Sequence, residues 1–134
     1  VKSLEHAVVG AVVGTVAALA LGPPGGVPLL VAVAVLVSVF VDLDHFVIAR
    51  VERGDWRHLR LAVTNPRVGL FEQEKLFTDF GTDFNRKRLL SHHLVGGVAV
   101  GGLALSVATS LAAFVAVVLY AHVVCDYLRD LGIA

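Results

Sequence analysis

Ala7–Val41 reads AVVGAVVGTVAALALGPPGGVPLLVAVAVLVSVFV, and these 35 residues contain no Asp, Glu, Lys, Arg or His. A run that long and that apolar is not the core of a small soluble domain; it is a membrane-spanning segment. At its centre stands Gly22-Pro23-Pro24-Gly25-Gly26. Consecutive prolines remove backbone donors and clash with the preceding turn, and paired glycines do not sustain a helix, so the run divides into two helices, about 4–21 and 28–48. The uncharged part of each reaches about 22 Å at the usual helical rise, slightly short of a hydrocarbon core of about 30 Å. Their polar ends therefore sit near or slightly inside the membrane interface.

A second uncharged run, Leu94–Ala121, covers 28 residues, and its only break signal is Ser106-Val107-Ala108-Thr109-Ser110. One steeply tilted helix would put His92 and His122 about 45 Å apart on opposite membrane faces. The alternative is a second hairpin with helices of about 91–106 and 110–128, and it keeps them together. The sequence thus predicts an all-α integral membrane protein, a single membrane domain over residues 1–134 with four transmembrane helices in two hairpins. Residues 1–50 form the first hairpin, 51–90 a cytoplasmic amphipathic insertion at the interface, and 91–134 the second hairpin.

Composition agrees with this reading. The chain is 57% hydrophobic with a mean hydropathy of +0.81, and 11 basic residues balance 11 acidic ones, so no nucleic-acid partner is expected. Every charge and all six histidines lie outside the two runs. With four spans, all Lys and Arg fall on the side of the termini and of 51–90. The positive-inside rule makes that side cytoplasmic, in a multi-pass protein of the plasma membrane. Ala18-Leu19-Ala20 fits a signal-peptidase site only loosely, and the next apolar segment follows closely, so the first helix is read as retained. Cys125 is the single cysteine, which excludes an intramolecular disulfide and predicts a small buried thiol.

The halves resemble one another. Aligning His6 with His93 places Gly10 on Gly97, Gly14 on Gly101 and Ala17 on Ala104, giving each half a Gly-xxx-Gly face for close helix packing in lipid. Each hairpin also ends in an acidic and His cluster, as expected of a repeat about an axis along the membrane normal. Between them, Arg50, Arg53, Arg57 and Arg60 recur at helical spacing beside Trp56, predicting one basic stripe. Leu70, Phe77 and Phe84 recur every seven residues, with Phe71 and Phe80 nearby, predicting an apolar face against lipid or the bundle. The stripe is either a solvated face or a binder of lipid headgroup phosphate.

Chemistry concentrates at the helix ends on one face. Asp42 and His45 are three apart, His122 and Asp126 four apart, so each pair shares a helical face. His6 begins the first helix and His92-His93 the third. Ionisable groups in spans cost about 2.5–3.5 kcal/mol on insertion scales and usually have partners or a function. Imidazole mixed with carboxylate suits zinc, with manganese or iron as alternatives. His6, Asp42, Asp44, His45, His92, His122 and Asp126 are the candidate ligands, enough for two metals; whether His92 or His93 faces inward stays open, and His58 is read as structural. The alternative for Asp42 or Asp126 alone is to cap a helix or pair with Arg88 or Arg129.

In this order of elements the chain resembles the YdjM-like family of membrane-bound metal-dependent hydrolases of bacteria and archaea. The motifs are the early His6, Asp42-Leu43-Asp44-His45, Ser91-His92, and His122 to Asp126. The resemblance covers nearly the whole chain and rests on motif order and hydropathy. It implies hydrolysis of a phosphoester by clustered zinc ions, since the family is distantly similar to zinc phospholipases C. The family's His-Arg-Gly-x-Thr/Ser-His is here Lys87-Arg88-Leu89-Leu90-Ser91-His92, lacking the first His and the Gly. Val41 stands where a Pro often precedes Asp-x-Asp-His.

Two functions are therefore expected. The first is a metal-dependent hydrolase acting on a phosphate ester, such as a phospholipid, at the cytoplasmic face. His6, Asp42, His45, His92, His122 and Asp126 would bind metal, Asp44 would bridge or act as general base, and Arg88 would neutralise developing charge. The second is a non-catalytic lipid-binding or assembly subunit of the same fold, whether as a homo-oligomer or in a larger membrane complex; the small size and the missing His favour it.

Overall fold

The computed structural model of this chain describes residues 3–106 and 109–133. Helix α1 covers Ser3–Leu21 and α2 Val27–Phe40; a 3₁₀ turn at Val41–Leu43 leads into α3, Asp44–Arg53. Two short helices follow, α4 at Arg57–Thr64 and α5 at Pro66–Phe71, then a 3₁₀ turn at Gln73–Leu76. Helix α6, Thr82–Ser106, and helix α7, Thr109–Asp130, complete the chain, and no strand occurs among the described residues. Four segments are long and apolar enough to cross a membrane: α1, the run of α2 through α3, α6 and α7. This is the all-α membrane protein of four spans that the sequence predicts.

The first break forms as its residues require. Gly22 and Gly25 adopt φ of 53° and 119°, conformations that side-chain-bearing residues rarely take, and Pro28 lies in the first turn of α2, where its missing N–H is harmless. Val107 and Ala108, the centre of the expected second turn, lie outside the described residues, as does the Leu70 side chain.

Burial on α1 inverts the pattern of a soluble helix. Ser3, His6, Gly10, Gly14, Ala17 and Ala18 face inward, while Leu4, Val8, Val12, Val16 and Leu19 lie on the outside. Large apolar side chains outside and small or polar ones inside fit a hydrocarbon solvent, in which close packing holds helices together. A Cβ at Gly10 would stand 2.5 Å from Ser38 Oγ, and one at Gly14 would overlap the Ala34 methyl, so these glycines let α1 and α2 pack backbone to backbone. Away from the ligand-bearing end, Ala17, Ala18, Leu30, Ala34, Phe114, Val115, Val118 and Leu119 form the apolar core.

Several expectations are corrected. Helix α6 starts at Thr82 rather than near 91, because Gly81 ends the preceding segment and the polar stretch from Thr82 extends the helix beyond its apolar part; likewise α3 runs on to Arg53. The single basic stripe does not form: Gly54, with φ of 79°, terminates α3 and leaves Arg50 and Arg53 on one helix, Arg57 and Arg60 on the next. The heptad of aromatics does not lie on one helix either. Phe77 and Phe80 precede Gly81 and Phe84 follows it, and the three rings gather around His58 and His45. The second Gly-xxx-Gly face meets nothing, since no atom lies within 4 Å of a Cβ at Gly97 or Gly101. Gly96 is buried instead and would touch Leu119 at 3.4 Å. Matching His6 to His92 rather than His93 aligns Gly10 with Gly96 but sets Gly14 against Val100 and Ala17 against Leu103. Cys125 is half-buried.

Candidate metal centre

Five elements deliver the cluster to one end of the bundle. His6 comes from the first turn of α1, Asp42 from the 3₁₀ turn, His45 from the first turn of α3, His92 from α6, and His122 and Asp126 from α7. All six are buried. The tight turn matters: a 3₁₀ segment within a long helix locally changes the angular spacing of side chains, here where Asp42, Asp44 and His45 emerge.

The donors form two groups that share a residue. In one, atoms of His6, Asp42, His122 and Asp126 lie within 4.8 Å of one another; in the other, atoms of Asp42, His45 and His92 do. His122 Nε2 is 3.3 Å from Asp42 Oδ1, and His6 Nε2 is 3.3 Å from Asp126 Oδ1 and 3.8 Å from Asp42 Oδ2. The same Asp42 Oδ1 lies 3.3 Å from His92 Nε2 and 3.4 Å from His45 Nε2, and those two nitrogens are 3.3 Å apart. His92 Nε2 also approaches Asp126 Oδ2 at 3.4 Å, which links the groups a second time. The rings of His6 and His122 stack with centroids 3.8 Å apart.

These residues fit a divalent cation on two grounds. Both ring nitrogens of His6 and His122 and both carboxylate oxygens of Asp42 and Asp126 are buried without a hydrogen-bond partner, although they crowd together. Buried polar groups left unsatisfied cost about 1–3 kcal/mol each, more when charged, and a shared cation removes that cost. The spacing also fits. Ligands at about 2.0–2.1 Å from a tetrahedral ion are separated by about 3.3 Å, the value that recurs here.

Around the donors, Asp44 stands in neither group. Its Oδ2 lies 2.9 Å from His92 Nδ1, the position of a carboxylate that orients a ligating imidazole from behind, and its Oδ1 is 3.7 Å from His45 Nε2. His92 is the inward member of its pair, whereas exposed His93 contacts the Leu89 carbonyl through Nδ1 and faces Tyr127. Buried Arg88 donates from Nη2 to both oxygens of Asp130, at 3.1 and 3.0 Å, and its Nη2 is 3.9 Å from Asp126 Oδ2. Its Nε has no partner. Arg129 pairs with Glu5 and not with the cluster. Beside the donors a cavity of ≈ 210 Å³ is lined by His45, Arg88, Asp130, Gln73, Asn85 and three phenylalanines.

Two contributors are absent from the sequence reading. Asp130 was discoverable, since it follows Asp126 by four residues and so shares its helical face. Asp79 carried no such signal: it sits in irregular chain, yet it receives a hydrogen bond from Arg57 at 2.8 Å and lies 3.2 Å from His58 Nε2. Partial burial would raise the Asp79 carboxyl, but the contact with His58 and the nearby Arg53 hold it below the usual carboxylate value. His58, buried against Phe77 and Phe80, thus ties this segment down at a distance from the donor groups.

The chain matches no protein-family model, and no curated protein or solved structure is significantly similar to it.

Proposed function

We propose that this chain is a membrane-embedded, metal-dependent hydrolase of a phosphate ester, working at the face of the membrane that holds both termini. The observation that carries the reading is the pair of donor groups sharing Asp42. Two neighbouring cation positions joined by a carboxylate suit phosphoester hydrolysis, where attacking and leaving oxygens must both be stabilised. Zinc is the favoured ion, with manganese or iron as alternatives, because the donors are imidazole and carboxylate alone. The order of motifs shared with YdjM-like hydrolases supports the same reading. Lys87, at the position of that family's first His, is exposed and paired with Glu52, so it supplies no donor.

A bound divalent ion would polarise a phosphoryl oxygen and lower the pKa of a water molecule. The chain's own residues do the rest. Arg88, held by Asp130 at the edge of the cavity, would neutralise charge that builds on an anionic phosphate there. Asp44 fixes the tautomer and ring orientation of His92 through Nδ1, leaving Nε2 toward the cluster. Burial of the donors strengthens each of these interactions.

Metal analysis of the purified protein, followed by reconstitution in lipid with zinc or manganese, tests the proposal. Release of phosphate or of a phosphorylated headgroup should be abolished by chelation and by Asp126→Asn. A metal-loaded protein that turns over no phosphoester in a broad panel would instead identify a non-catalytic membrane subunit. The cytoplasmic placement of both termini, proposed from the distribution of Lys and Arg, is tested in a Cys125→Ala background. Cysteines introduced at Gly25 and at Arg67 should label from opposite sides of the membrane, the latter from the cytoplasm.

A further inference from the structure

An apolar slot of ≈ 500 Å³ opens between α2 and α6, two spans that scarcely touch one another, with α7 closing its back. Leu30, Val33 and Val37 of α2 form one wall, Ala99 and Leu103 of α6 the other, and Val41 its end. Val41 immediately precedes Asp42. On the opposite wall Val95 and Gly96, three and four residues beyond His92, lie on the face of α6 that carries that ligand. The slot therefore runs along the membrane-spanning part of the bundle and ends at residues close in the chain to the donors Asp42 and His92.

We propose that this slot holds the hydrocarbon chain of a membrane lipid whose phosphate-bearing head lies at the cluster, so that the substrate is a long-chain amphiphilic phosphate ester entering sideways from the bilayer. The placement of the head rests on the hydrolase reading; the placement of the chain does not. Three observations select this occupant. No charged side chain lines the slot, and apolar cavities do not retain water. From Leu29 to Val41 the α2 wall extends about 18 Å, close to the roughly 15 Å depth of one bilayer leaflet, which is the reach of one lipid chain. The slot also ends at Val41, the chain neighbour of Asp42, at the end of the bundle that carries the donors and Arg88, a cation suited to the lipid's anionic head.

The test uses full-length protein reconstituted in phosphatidylcholine vesicles containing phosphatidic acid with a diazirine in mid-chain. Illumination and peptide mapping should place adducts on Val33, Val37, Ala99 and Leu103 in excess over Val12, which faces outward on α1. Ala99→Phe, which fills the slot, should lower the slot adducts roughly tenfold, the loss expected from expelling two methylenes from an apolar site. Adducts at Val12 should not change, and Ala99→Leu should give an intermediate loss if the effect is occupancy rather than misfolding. Equal labelling of Val12 and the slot, or labelling indifferent to Ala99→Phe, would overturn the proposal. Hydrolysis provides the second arm: Ala99→Phe should raise KM for a long-chain phosphate ester and leave that for a water-soluble ester unchanged, and equal effects on both would count against it. Slot labelling without hydrolysis of either ester would sink the hydrolase reading while leaving the chain site in place.

Discussion

The two hairpins contribute comparably to the donor cluster but are built by different rules. In the first, Gly10 and Gly14 bring α1 against Ser38 and Ala34 of α2 with no room for a β-carbon. In the second, Gly97 and Gly101 face open space, and Gly96 meets Leu119 of α7. The difference shows that a glycine pattern in a spanning helix records the possibility of close approach and not its occurrence. It also shows where the bundle is tight and where it is open: the first hairpin packs backbone to backbone, and an apolar slot separates α6 from α2.

The largest expected effect concerns how the cluster is divided between the hairpins. Asp42, from the first, belongs to both donor groups, while Asp126, from the second, belongs to one of them. Asp42→Asn should remove bound metal altogether, whereas Asp126→Asn should retain the share held by Asp42, His45 and His92; metal content by mass spectrometry checks this. If the two variants lose equal amounts, the shared-carboxylate arrangement is wrong. Next, Asp44→Ala should weaken metal binding by roughly 10–100-fold through the freed His92 ring without eliminating it, as a competition titration with a chelating dye would show.

Stability separates the hairpins directly. Gly14→Leu should destabilise the protein by about 1–3 kcal/mol or more, because the Ala34 contact leaves no volume for a side chain. Gly101→Leu should change stability by no more than about 0.5 kcal/mol, since nothing lies near its position. Unfolding in mixed detergent micelles measures both, and a costly Gly101→Leu would mean that the second hairpin packs more closely than described. The smallest effect belongs to the segment between hairpins. The Asp79 carboxyl is held below its unfolded value of about 4, so its contribution is fully present above that pH and is lost as pH falls through the lower, folded value. Cleavage by an acid-active protease between Gly54 and Gly81 should therefore rise below about pH 4, and Asp79→Asn should show similar susceptibility already at neutral pH.

Much of this architecture is legible in the sequence because lipid permits few alternatives. Gly22 to Gly26 had to break a helix, and the charge-free runs on either side had to span. The convergence of Asp42, His45, His122 and Asp126 followed from helical spacing and a common membrane face. Single-residue phase was harder to read: choosing His92 over His93 depends on the rotation of α6, which its apolar sequence, nearly uniform around the helix, does not define. Nor could spacing reveal that Asp44 stands behind His92, since that depends on the 3₁₀ turn at Val41–Leu43. The middle segment is shorter and less regular than its spacing suggests, because Gly54 and Gly81 interrupt patterns that look continuous when only spacing is counted.

The distribution of donors across the chain bears on the order of biosynthesis. The ribosome releases His6, Asp42 and His45 with the first hairpin, before His92, His122 and Asp126 have been made. Neither donor group is complete within one hairpin: the first needs His122 and Asp126, the second needs His92. Two half-chains divided between Gly54 and Gly81 would each insert without a complete coordination set, and a cation held at the cluster would report that the halves had met.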